Sequence, residues 1–251
     1  MNVNFKPLGI AAAVAAASAG YAGAVNAQTV AAETELGDLA IVPYYTVLDG
    51  FSTGVNIINT SAQTQVLKFR FRRAVDSMDA LDFKVVLSPN DMYTGFIGLE
   101  ADGEITWTSN DNSCTAPAYN RGANKFEMPP IYRAGAETGY VEIISMGSPD
   151  SETAPIALSA RHDSTGVPAN CEDVRDNFFA NVSATGVADL TTRGVISSDT
   201  THQFTTTESG EVLEPTTYIA SPDSLKVSYF IKSDETGIEF GDNATHIAGF
   251  M

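Results

Sequence analysis

Basic residues are scarce in this chain. Lysine and arginine number 14 against 31 aspartates and glutamates, a formal net charge of −17. Such a surface repels phosphate backbones and anionic lipid, which excludes nucleic acid as a partner. Histidine occurs three times and cysteine twice. No His-x-x-x-His or Cys-x-x-Cys spacing occurs, so the usual zinc patterns are missing, and no cofactor is expected. Long apolar runs are missing too. Beyond the N-terminal segment no stretch approaches the roughly 20 residues of a membrane-spanning helix, so the mature chain is expected to have no membrane span.

The one extended apolar segment, Leu8 to Ala24, stands at the start. Lys6 precedes it, and Val25-Asn26-Ala27 places modest or small side chains where a signal peptidase reads. A basic start, an apolar stretch and a small-residue cleavage site make a Sec signal peptide, with the cut expected between Ala27 and Gln28. The segment is too alanine-rich and short to favour a transmembrane anchor. No cysteine lies near the cut, which argues against a lipoprotein. The expected destination is extracellular or the cell surface, with the periplasm as alternative. Removing residues 1–27 takes away one lysine and no acid, leaving 13 basic against 31 acidic residues and a net charge of −18.

Strand patterns recur with turn residues between them. In Val66 to Arg72, Leu67, Phe69 and Phe71 alternate with Lys68, Arg70 and Arg72, which predicts one buried face and one in water. Leu81 to Leu87 repeats the alternation. Further strands are expected at Leu39–Leu48, where Pro43 implies an edge or a break, and at Val55–Ile58, Met92–Ile97, Glu104–Thr108, Tyr140–Ser145, Ile156–Ala160 and Leu225–Ile231. Helical periodicity is limited to a short candidate at Glu172–Asn181. Gly147 to Pro155 reads as an exposed loop or a possible subdivision, and Gly241 to Thr245 as a turn. His246 to Met251 is expected either to close a sheet as a strand or to mark a fragment of a longer protein. The expected fold is all-β: an antiparallel β-sandwich, Ig-like or jelly-roll-like, with long loops, in one domain over 28–251. An outer-membrane barrel would need more, longer and less interrupted strands.

Cys114 and Cys171 form an even pair in an exported chain, so a disulfide is expected. The polar, turn-like residues preceding each suggest that it ties two surface loops together.

The segments Ile41-Val42-Pro43-Tyr44-Tyr45-Thr46, Ile58-Asn59-Thr60-Ser61, Lys68 to Arg72, Leu81 to Asp91, Ser113-Cys114-Thr115 and Gly139 to Ile144, taken in that order, resemble a group of uncharacterised exported proteins of Gram-negative bacteria, described as cell-surface or hypothetical proteins. The resemblance implies an exported surface protein and carries over no catalytic residue.

Candidate sites are few. Arg161-His162-Asp163-Ser164 holds the residue types of a hydrolase triad side by side, but triads are assembled from distant segments. His162 is therefore read as a solvated loop histidine, no catalytic residue is assigned, and no enzyme activity is expected. Asp111 between Asn110 and Asn112, and Asp242-Asn243, offer oxygens of the kind calcium uses without matching a full calcium loop, so the metal content is left open. Lys68, Arg70, Arg72 and Arg73 could meet an anionic glycan or be neutralised by acids such as Asp82 across the sheet. Tyr44, Tyr45, Tyr93 and Trp107 could form a sugar-stacking platform or a core. The leading expectation is a structural or adhesive role with a cell-surface or extracellular protein or glycan partner. The alternative is a secreted binding module for carbohydrate or a small ligand.

Overall fold

Residues that alternate in polarity along an extended chain must bury one face, and here two sheets bury theirs against each other. The computed structural model describes residues 35–119, 124–176, 201–202 and 216–250. The expected signal segment and its Ala27–Gln28 cut lie outside the described residues. In one sheet the order is β10 (Thr201–His202), β11 (Thr216–Ile219), β9 (Thr138–Pro149), β3 (Gln65–Arg73), β4 (Asp79–Leu87) and β7 (Cys114–Ala116). β1 (Leu39–Thr46) also pairs with β9, and β14 (Thr245–Ile247) with β1. The second sheet runs β13 (Ile238–Asn243), β12 (Leu225–Ser233), β2 (Phe51–Asn59), β5 (Met92–Leu99), β6 (Ile105–Thr108) and β8 (Lys125–Glu127). The named strand pairs are antiparallel, and a one-turn helix, α1 (Pro130–Arg133), precedes β9. The fold is the expected all-β sandwich.

The core is aromatic. Phe69, Phe71 and Phe83 from the first sheet meet Tyr93, Trp107 and Phe126 from the second. Phe69 stacks on Phe83 at 5.0 Å between centroids and lies 4.8 Å from Trp107. Each such side chain contributes about 1.5–3 kcal/mol by leaving water. Gly95 makes room for the indole, since a Cβ there would stand 2.4 Å from Trp107 Cζ2. The Trp107 Nε1–H donates to the Tyr93 hydroxyl at 2.8 Å, so the buried indole keeps a partner.

Several local expectations change. Ile156–Ala160 is not a strand but part of helix α2 (Pro155–Ala160), with Pro155 in its first turn. A short apolar run does not distinguish the two periods, and proline suits the first helical turn. Gly147, Ser148 and Pro149, expected in an exposed loop, are the buried end of β9, where Ser148 and Pro149 pair with β11. Gly241, Asp242 and Asn243 belong to β13 rather than to a turn. His246 and Ile247 do form a strand that closes on β1. β1 shifts register between Val42 and Tyr45, so Pro43 falls at a break in the ladder, where its missing N–H costs least.

The outer face of the first sheet is divided. At one end, Val66, Val86 and Ala116 form a second small core with Ile156 and Ala160 of α2, Val174 of helix α3 (Cys171–Asp176) and Tyr218. Asn170 Oδ1 accepts from the backbone N–H groups of Glu172 and Asp173, capping α3 as short polar side chains do. The continuation of this helix expected to Asn181 lies outside the described residues.

Candidate functional site: a polar groove held by the disulfide

Three connections converge at one end of the sandwich. The β4–β5 turn supplies Ser88, Asn90 and Asp91, the β6–β7 connection supplies Asn110 to Asn112, and the segment after α2 supplies Arg161, His162 and Gly166. Together they line a groove of about 800 Å³. The disulfide pins two of these walls. Cys114 opens β7 directly after one wall and Cys171 opens α3 directly after the other, with their Cα atoms 5.1 Å apart. The expected pair is therefore present, but it does not tie two surface loops. Cys114 is fully buried, and the bridge joins a strand to a helix inside the second core. Local polarity misled here because β7 is only three residues long and its burial comes from elements distant in sequence. The walls also touch directly, through Asn112 Nδ2 donating to the Gly166 carbonyl at 3.2 Å.

His162 is not a solvated loop residue. Its Nδ1 lies 3.1 Å from Ser88 Oγ and 3.2 Å from Asp91 Oδ2. Ser88 Oγ also donates to Asp91 Oδ2 at 3.1 Å, and Asp91 Oδ2 accepts the Ser88 backbone N–H. Serine, histidine and aspartate thus gather from separate segments, yet not as a nucleophilic triad. A triad places the serine on one imidazole nitrogen and the carboxylate on the other, so that a proton passes through the ring. Here both partners crowd Nδ1. The cluster docks the His162 segment, itself bridged at Pro168, onto the β4–β5 turn. Asp163 and Ser164, adjacent to His162 in sequence, take no part. Asp163 instead accepts from Thr165 and Val167 within its own turn, and these hydrogen bonds hold its carboxyl below the usual range.

Sequence reasoning missed Ser88, Asp91 and Glu152. Ser88 and Asp91 read only as turn formers, and no spacing links them to a histidine more than 70 residues away. Glu152 accepts the Thr64 hydroxyl at 2.9 Å and approaches Arg161 at 3.4 Å, tying the groove rim to the start of β3. Gly50-Phe51-Ser52-Thr53-Gly54 has the Gly-x-Ser-x-Gly spelling of a nucleophile elbow. It lies in and just before β2, whereas an elbow is a strand-to-helix turn, and among the described residues no histidine lines the surface around Ser52.

The other sequence candidates resolve one by one. Asp111 Oδ1 accepts from the Ser113 backbone N–H and hydroxyl at 2.8 and 2.6 Å, and Asp242 Oδ1 accepts from Asn243. Among the described residues no group of three or more histidine, cysteine or acidic side chains is placed to hold a metal. Within the basic row, Lys68 pairs with Asp82 at 2.6 Å, and Arg72 with Asp79 at 2.6 Å and Glu142 at 3.0 Å. Arg70 sits among Asp79, Asp82 and Glu142 at 3.5–3.9 Å, and Arg73 pairs with Asp76. The row is neutralised across β4, β3 and β9. Of the four aromatic candidates, Tyr45, Tyr93 and Trp107 are fully buried, and Tyr44 alone reaches the surface. Among the described residues no helix is long and apolar enough to cross a membrane.

No family model, no curated protein and no solved structure matches this chain.

Proposed function

We propose that the protein is an exported, cell-surface β-sandwich with a structural or adhesive role and no catalysis of its own. The observation that carries this reading is the disulfide clamp on the groove. A covalent link joins β7 to α3, each of which directly follows a wall of the groove, and the polar groups at Ser88, Asp91 and His162 hydrogen-bond one another. A rigid loop end on a β scaffold suits contact with a partner. The acidic charge keeps such a protein soluble outside the cell. Protease shaving of intact host cells, followed with an antibody to the mature chain, tests it. Loss of signal on shaving supports a surface role. Protection from protease with release on osmotic shock removes the adhesive reading.

A second reading, a secreted binding module for carbohydrate or a small ligand, is favoured by the groove volume of about 800 Å³, within the usual range of ligand clefts. A thermal shift with a small-sugar panel that is lost in Asp91→Asn would support it.

A further inference from the structure

The outer face of the second sheet carries a row assembled entirely by register. Gly241, Phe230, Gly54, Phe96, Thr108 and Lys125 stand side by side across β13, β12, β2, β5, β6 and β8. Their neighbours along each strand, such as Val55, Ile97 and Trp107, point into the core. Phe230 lies across Gly54, where a Cβ would stand 2.1 Å from its Cζ. Phe96 is 43 % exposed. Beside it opens a groove of about 570 Å³, floored by Phe51, Phe96 and Gly98 and edged by Glu100, Lys125 and Asp234.

We propose that this trough binds the rings of an uncharged glycan. A pyranose has a flat C–H face that packs on an aromatic ring, and hydroxyls that both donate and accept. The trough offers both kinds of contact, as ligand sites of mixed character do. Phe96 supplies the exposed ring face within the trough, and Phe230, lying across Gly54 beside it, extends the aromatic surface past its edge. The Glu100 and Asp234 carboxylates accept, the Lys125 ammonium donates, and the Ser52 and Thr108 hydroxyls do either. Thr106 Oγ1 donates to Glu100 Oε1 at 2.9 Å, which orients that carboxylate along the edge. A purely apolar ligand would strip water from Glu100 and Asp234 without replacing its hydrogen bonds. The net charge of −17 turns away anionic glycans, nucleic acids and anionic membranes. The trough shares no residue with the groove around His162, so the two sites stand or fall separately.

The test is affinity electrophoresis of the full chain through native gels containing laminarin, hydroxyethylcellulose or galactomannan, with alginate as the anionic control. Retardation by at least one neutral polysaccharide and not by alginate is expected. Phe96→Ala and Phe230→Ala should each weaken it by about tenfold. Phe96→Tyr should retain it, and Val75→Ala, in the exposed turn between β3 and β4 and lining neither groove, should leave it unchanged. Thermal unfolding of each variant confirms that the sandwich is intact, and Phe96→Tyr keeps the test valid if an alanine variant fails to fold. Absence of retardation by all three neutral polymers, equal retardation by alginate, or unchanged retardation of Phe96→Ala would overturn the proposal.

Discussion

His246 Nε2 accepts the backbone N–H of Val227 at 2.8 Å, joining β14 of one sheet to β12 of the other. The acceptor nitrogen must be unprotonated. Burial, and secondarily the Lys226 charge, hold this histidine below its ordinary pKa. A group whose folded pKa is depressed leaves the unfolded chain binding more protons, so stability is complete above the unfolded value of about 6.5 and falls as the pH descends toward the folded one. Thermal unfolding midpoints should therefore drop as pH is lowered from about 7.5 to 5. His246→Gln should flatten that slope. An unchanged slope would mean that other groups set it.

Reducing the Cys114–Cys171 bridge frees a loop with a sequence separation of 57. Chain-entropy arithmetic for a loop of that length gives about 4 kcal/mol of lost stability, read as a shift in the denaturation midpoint of Cys114→Ala/Cys171→Ala. Hydrogen exchange should rise most in 161–176, which rests on the small second core, and least in β3 and β5. Mass spectrometry after alkylation without reductant should find no labelled thiol in the native chain.

Tyr93→Phe removes the acceptor of the Trp107 indole N–H and a contact with the Tyr119 hydroxyl. The buried donor is then left alone, at a cost of about 1–3 kcal/mol. Equilibrium denaturation followed by Trp107 fluorescence measures both the stability loss and the changed indole environment.

Gly139 packs where β9 meets β1 and β3, and a Cβ there would stand 1.8 Å from the Arg72 carbonyl oxygen. Backbone cannot yield as a flexible side chain can. Gly139→Ala should destabilise by about 2–3 kcal/mol, whereas Gly103→Ala, with open space around it, should lose less and do so through its positive φ of 84.

Neutralisation of the Lys68–Arg73 row predicts that the chain will not be retained on heparin at physiological salt. Single alanine substitutions in this partly exposed row should change stability by less than about 1 kcal/mol. Retention on heparin that disappears in Arg70→Ala would show that the row is available to anions after all.

The sequence by itself determined the class of fold and the burial of particular faces. Period-two alternation in Leu67 to Arg72 and Leu81 to Leu87 is a local property of the extended chain and already states which side chains leave water. Cysteine count sufficed for the bridge, since only one pairing existed. Three things belonged to tertiary structure alone. Whether Ile156–Ala160 coils or extends was decided by the surface it packs on, because a short apolar run satisfies either period. Where Cys114 lies was decided by helices that cover the sheet from more than 40 residues away. The meetings of His162 with Ser88 and Asp91, and of Gly54 with Phe96 on one side and Phe230 on the other, were decided by loop docking and strand register. Such contacts arise between residues far apart in sequence, and no local pattern encodes them.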